Sequence, residues 1–290
     1  MFTQASDPLS RAVDEALAGQ LRPLLDLLER GSRLPGLRAN DSLAEAFAQA
    51  CRLRGALADR VAFELARLSA DEAPGATSAE FLPVCGLRAL GARAAADASI
   101  RTRVLAELHL RADDLRYRVR DAVVEALARI GAAMGDDLAA AVASWMDGYF
   151  HAAAVVRALG EDSWLVALRD PGPALARLDE AFRLSRDAPR AAARYPGRKA
   201  LVEALVSTPG LLALRLGVPV FDVLARWSAV QDPELRDAIR SILSSRKLAR
   251  RFGPELQGVR HALSVSEPPV RNPDHDVGPT RDRSRARRRR

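Results

Sequence analysis

The feature that most constrains this chain is a stretch that recurs. "LRYRVRDAVVEALARIGA", Leu115 to Ala132, reads as one helix. At 100° per residue, Leu115, Val119, Ala122, Val123, Ala126, Leu127 and Ile130 fall in an arc of about 140°, wider than a coiled-coil seam, which requires more than one neighbour. Val124 and Tyr117 lie on the far side of that arc. The pattern returns without a gap 78 residues on: "GRKALVEALV" from Gly197 sets Arg198 on Arg120, Ala200 on Ala122 and Leu205 on Leu127. A further 38 residues on, "LRDAIRSILS" from Leu235 sets Arg236, Ala238 and Leu243 on the same three positions. The two offsets share one period near 39 residues. Between and before these copies, "HAAAVVRALG" from His151 keeps Ala154, Ala158 and Leu159 but lacks the arginine, and "LPVCGLRALG" from Leu82 supplies Cys85, Ala89 and Leu90.

Composition agrees with a helical repeat. Nearly half of the 290 residues are apolar, yet aromatics make up only 5%. Alanine and leucine dominate where valine and isoleucine would fill strands, which favours closely approaching helices. No convincing period-two segment is present. Each unit of about 39 residues is too small to bury its own apolar face, and stacking neighbours bury it jointly; the expected fold is all-α, an α-solenoid.

Punctuation divides the chain into segments of ordinary helical length. "SDP" at Ser6–Pro8 and "QDPE" at Gln231–Glu234 place a capping aspartate before a proline at the first helical position, and "TSAE" at Thr77–Glu80 has capping-box spacing. "LPG" at Leu34–Gly36, "APGA" at Ala73–Ala76, "DPGP" at Asp170–Pro173, "YPG" at Tyr195–Gly197 and "TPG" at Thr208–Gly210 read as stops. From Ser264 the composition turns to proline, aspartate, glycine and arginine with almost nothing to bury. The division expected is therefore a folded body over residues 1–263 and a disordered tail over 264–290.

The repeated residues resemble the HEAT-repeat family, whose second helix commonly opens with aspartate, continues Val-Arg-x-Ala and Ala-Leu, and ends near Ile-Gly. Here those positions are Asp114, Val119-Arg120-Asp121-Ala122, Ala126-Leu127 and Ile130-Gly131, with Asp232, Pro233, Leu235-Arg236 and Ala238 in the later copy. The resemblance implies a right-handed superhelix of helix pairs that binds partners along its concave surface, and implies no particular partner. Small side chains at Ala122 and Ala126 allow close helix approach while Leu127 and Ile130 fill between layers. Arg120 lies at the edge of the apolar arc, where its stem packs and its head reaches an acidic or carbonyl group in the next turn or repeat. Val119, Arg120, Ala122, Leu127, Arg198, Ala200, Leu205, Arg236 and Ala238 are accordingly read as structural repeat residues. A ligand-facing role for the three arginines is the alternative.

Catalytic constellations are not evident. His109, His151, His261 and His275 are scattered, with no second histidine or cysteine at metal-ligand spacing, so neither metal nor cofactor is expected. A glycine-rich phosphate loop and a GxSxG elbow are both missing. One aromatic-rich stretch stands apart: "SWMDGYFHAAAVVRALGEDSW", Ser144 to Trp164, where Trp145, Asp147, Tyr149 and Trp164 form a possible binding group. A carboxylate among aromatics resembles the DNA-alkylation-repeat glycosylases, HEAT-like solenoids that use tryptophan and aspartate on a damaged nucleotide. This chain departs from them where Tyr149 and Phe150 replace a second acid. Aromatics filling a wide gap between repeats is the simpler reading.

Charge is concentrated at one end. Of the net +7, the body to residue 263 carries only +3, residues 264–280 carry −2 and the last ten residues +6, from Arg281, Arg283, Arg285, Arg287, Arg288, Arg289 and Arg290 against Asp282. Such a tail either tracks nucleic acid or another polyanion or is simply a solvated end. Cys51 and Cys85 lack CxxC spacing, no apolar run reaches bilayer length and the N-terminus is too polar for a signal peptide, so a reduced, cytoplasmic setting without a membrane span is expected. The function expected is that of a non-enzymatic scaffold or adaptor holding a protein partner on its concave surface, with a nucleic-acid-binding repair solenoid as the alternative.

Overall fold

Side-chain caps mark the starts of five helices. The computed structural model describes residues 7–266 and is helical throughout, with no strand among those residues. Asp7 caps α1 (Pro8–Leu17) by accepting the Leu9 amide, and α2 (Arg22–Gly31) follows. Asn40 caps α3 (Asp41–Arg54) through the Leu43 amide, and α4 (Asp59–Ala66) leads to α5 (Phe81–Ala96). Next come α6 (Arg101–Ala112), α7 (Tyr117–Met134), α8 (Asp136–Ala141), α9 (Tyr149–Leu159) and the short α10 (Asp162–Leu165). Asp170 caps α11 (Pro171–Arg186), and α12 (Pro196–Leu216) and α13 (Val218–Ser228) continue the series. Asp232 caps α14 (Pro233–Leu243), Ser245 caps α15 (Arg246–Arg251), and α16 (Gly253–Val265) closes it.

Packing runs mainly from neighbour to neighbour along the chain. α5 lies against α3, α4 and α7; α7 against α9; α9 against α12; and α12 against α14. α6, α11 and α13 also pack against these helices, and one apolar core extends through all of them. Alanine and glycine set the spacing. A Cβ on Gly91 of α5 would stand 2.7 Å from the Cα of Ala126 on α7, so the two backbones touch there. The recurrent stretches all sit at helix N-termini: Val119–Arg120 in α7, Gly197–Arg198 in α12 and Leu235–Arg236 in α14.

Several expectations need correction. Leu115 is 89% exposed in the turn before α7, because Arg116 takes the inward position. Its guanidinium donates to the carbonyls of Leu68, Ser69 and Ala73 and pairs with Asp114 at 2.7 Å, consolidating the α4–α5 loop. Val124, on the supposed far side of α7, is buried as well, since α7 is enclosed by α5, α6, α9 and α10. "TPG" does not end a helix: Thr208 and Pro209 are buried inside α12, where packing holds the helix despite the missing amide donor. "YPG" and "DPGP" start helices rather than stop them, with proline in the first turn of α12 and α11. "TSAE" forms no capping box; buried Glu80 instead accepts the Ala76 amide and pairs with Arg118 at 2.9 Å. The folded body also continues past residue 263. Ser264 and Val265 belong to α16, and Ser266 donates to the Ser228 carbonyl at 2.7 Å while accepting from Arg236 at 2.8 Å. The remainder of the tail, including Arg281, Arg283, Arg285, Arg287, Arg288, Arg289 and Arg290, lies outside the described residues.

Cys51 and Cys85 are free and buried. Burial pushes the Cys51 thiol up to about 12, and the Cys85 thiol is raised well above its ordinary value for the same reason. Among the described residues, no helix is long and apolar enough to cross a membrane.

Candidate functional site

Two polar arrangements emerge from this packing. The first is a set of ion pairs that crosses α3, α5, α7 and α9. On α5, Arg88 reaches Asp41 of α3 and Glu125 of α7, at 2.8 Å to each carboxylate. Arg129 of α7 pairs with Glu45 of α3, spanning the intervening α5, and Arg157 of α9 donates to Asp121 of α7 at 2.8 Å. Close seams explain the reach: where Gly91 brings α5 against α7, a side chain on α7 can meet one on α3. Burial would raise the Glu45 carboxyl, but hydrogen bonds from Arg129 and Gln49 outweigh it and hold the group below its usual range. This surface is of mixed sign, and Arg88, Arg129 and Arg157 are each engaged by carboxylates.

The second arrangement lies where α6 meets α9. The short 3-10 segment Ala143–Asp147 carries Trp145 inward, where it is 4% exposed. His109 of α6 stands edge-on to its indole with ring centroids 5.0 Å apart, and His151 of α9 stacks on His109 at 4.1 Å. Asp147 stays exposed with a carboxylate oxygen 3.8 Å from His109 Nε2. His151 Nε2 lies 3.0 Å from the His109 carbonyl. The carbonyl can only accept, so this contact assigns the Nε2 proton and leaves the Nδ1 lone pair free. Gly148 makes room for that ring: a Cβ there would be 2.4 Å from Nδ1. Burial, followed by the neighbouring His109, lowers the His151 pKa and favours the neutral imidazole. One donor atom from each of His109, Asp147 and His151 lies within 4.8 Å of the others. An open cavity of about 470 Å³ adjoins Asp147, lined also by Ser144, Met146, Glu180, Arg183 and Asp187.

The possible binding group therefore divides. Tyr149 is half-buried and meets Tyr195 at 6.0 Å between ring centroids; the Tyr195 hydroxyl lies 3.4 Å from Asp113. Trp164 does not join it. It is fully buried, its Nε1–H donates to the Gly135 carbonyl at 2.9 Å, and its ring fills the space over Gly131, where a Cβ would stand 2.2 Å from it. Its role in this structure is packing, because an indole with no exposed surface and its donor satisfied internally offers a ligand no face. The histidines are the residues sequence spacing missed. They are 42 residues apart, near one repeat period, and that was the available signal.

The aligned arginines serve different local partners. Arg120 donates to the carbonyls of Asp114 and Leu115 and lies 4.4 Å over the Phe150 ring. Buried Arg198 pairs with Glu234 and with Asp232, and buried Arg236 donates to the carbonyls of Ser228 and Leu263. Val119, Ala122, Leu127, Leu205 and Ala238 are buried, and Ala200 is half-buried against the core.

No protein-family model, curated protein or solved structure matches the chain.

Proposed function

We propose that residues 7–266 form a right-handed α-solenoid of HEAT-like helical pairs and that the protein acts as a non-enzymatic cytoplasmic scaffold. A protein partner binds the surface carried by α3, α5, α7 and α9, and the arginine-rich tail adds attraction to anionic partners. The neighbour-to-neighbour packing and the recurrence of the repeat residues at helix starts support the solenoid. The observation that carries the function is the mixed-sign ladder of Asp41, Arg88, Glu125, Glu45, Arg129, Asp121 and Arg157. A phosphate backbone is bound by cations that release counterions, whereas arginines already matched by carboxylates suit a partner bearing both signs.

A photo-crosslinking residue placed at Gln49 or Asp121 tests this against one placed at exposed Ala106 or Leu110 of α6. Crosslinks to polypeptide are expected from the first pair and not the second. Crosslinks to nucleic acid alone, or release of bases from alkylated DNA, would overturn the scaffold reading. The second reading, a nucleic-acid-binding solenoid related to the DNA-alkylation-repeat proteins, rests on the tail and on exposed Asp147 beside Trp145. Duplex binding that persists after removal of residues 267–290 would favour it.

A further inference from the structure

We propose that His109, Asp147 and His151 form a binding site for a divalent transition-metal ion, with zinc(II) the best-suited occupant. Three lines of geometry converge on it. The donor set is right: two imidazoles and a carboxylate, brought from α6, the Ala143–Asp147 segment and α9, lie with donor atoms within 4.8 Å of one another. The second line is the tautomer of His151. A metal-bound histidine ordinarily donates its other ring N–H to a carbonyl or carboxylate; the His109 carbonyl, 3.0 Å from Nε2, already fills that role and leaves Nδ1, on the Gly148 side of the ring next to Asp147 in sequence, as the free donor. The third is access. The cavity of about 470 Å³ opens beside Asp147 without being lined by either histidine, so an ion enters from the side of the exposed carboxylate, and buried Trp145 stands edge-on to His109.

Binding requires a modest closure. Donor atoms ~2.0–2.1 Å from a tetrahedral ion are about 3.3 Å from one another, so the cluster contracts by roughly an ångström or more on loading. Exposed Asp147 has the freedom to supply that movement, and His109 turns off its stacked position to aim Nε2 at the ion. With three protein donors, one coordination position is left for water or for a donor from a bound partner. An ion held this way ties α6, α9 and the segment between them into one unit.

The test is titration of the full-length protein with cobalt(II) chloride and then zinc(II) chloride. Cobalt(II) is expected to give visible absorption of tetrahedral or five-coordinate character that zinc(II) abolishes, and zinc(II) is expected to raise the thermal midpoint. Asp147→Asn, at an exposed position, should weaken zinc(II) affinity on the order of 100-fold while leaving the circular dichroism unchanged, and His151→Gln should do the same. Gly148→Ala displaces the His151 ring without altering a donor and should cost about tenfold. His261→Gln, at an exposed position in α16, should change nothing. Absence of the cobalt(II) spectrum, or equal affinity in Asp147→Asn and the unaltered chain, would overturn the proposal. Should His151→Gln fail to fold, the Asp147→Asn result decides the matter alone.

Discussion

The seam between α5 and α7 and the seam between α6 and α9 are built on opposite principles. At the first, glycine and alanine bring backbones into contact and leave charged side chains to meet over the top, so Arg88 and Arg129 find carboxylates on neighbouring helices. At the second, two imidazoles and an indole hold the helices apart and leave polar ring atoms and a carboxylate facing one another. Small residues thus produce a continuous, charge-matched surface, and rings produce a local polar cluster with room for a ligand. The same packing therefore leaves a broad charge-matched surface at one seam and a compact set of polar donors at another.

The largest effect that would break this comparison falls at the far end of α7, where both principles meet. Trp164 fills the space that Gly131 leaves, so Trp164→Ala should destabilise by about 3–5 kcal/mol, read as a lowered urea midpoint. Gly91→Ala forces a Cβ into the α7 backbone and should cost about 1–3 kcal/mol by the same measurement. A loss of only a few tenths there would mean that the seam yields and does not set helix spacing. Arg129→Gln removes one rung of the surface ladder and should cost only about 0.2–1 kcal/mol, with the loss shrinking as salt is added.

Acid titration gives smaller effects, one at the α6–α9 seam and one at the C-terminal end of α5. His151 has a folded pKa below its unfolded value near 6.5, so the folded state holds fewer protons; its contribution is present above about pH 6.5 and is lost as pH falls. Asp97, at the end of α5, is held at about 2 by hydrogen bonds from Ser99 and then Arg93. Its contribution is present above the unfolded value near 3.9 and is lost as pH falls toward about 2. Unfolding midpoints across this range should show the upper step removed by His151→Gln and the lower one reduced by Asp97→Asn. A profile unchanged by both substitutions would contradict the assignment.

Helical identity was legible because period and capping are local. The apolar positions Val119, Ala122, Ala126, Leu127 and Ile130 are all buried, and Asp7 and Asp232 accept amides at helix starts. What escaped the sequence was decided by partners from elsewhere. Arg116 displaced Leu115 from the interior because three carbonyls of a distant loop awaited it. Pro209 stayed inside α12 because burial outweighed its lost hydrogen bond. The candidate site divided for the same reason. Trp145, Asp147 and Tyr149 stood out as an aromatic-acidic run, but Trp164 became core, and His109 joined only through the packing of α6 on α9.

The central claim is that the folded units stack on neighbours, so that stability is transmitted locally along the chain. Amide hydrogen exchange on a chain ending at residue 229, which lacks α14, α15 and α16, tests it most directly. Stacking predicts lost protection in α12 and α13, with α3, α5 and α7 protected as in the full chain. Protection lost together across all the helices, α3 and α5 included, would contradict it.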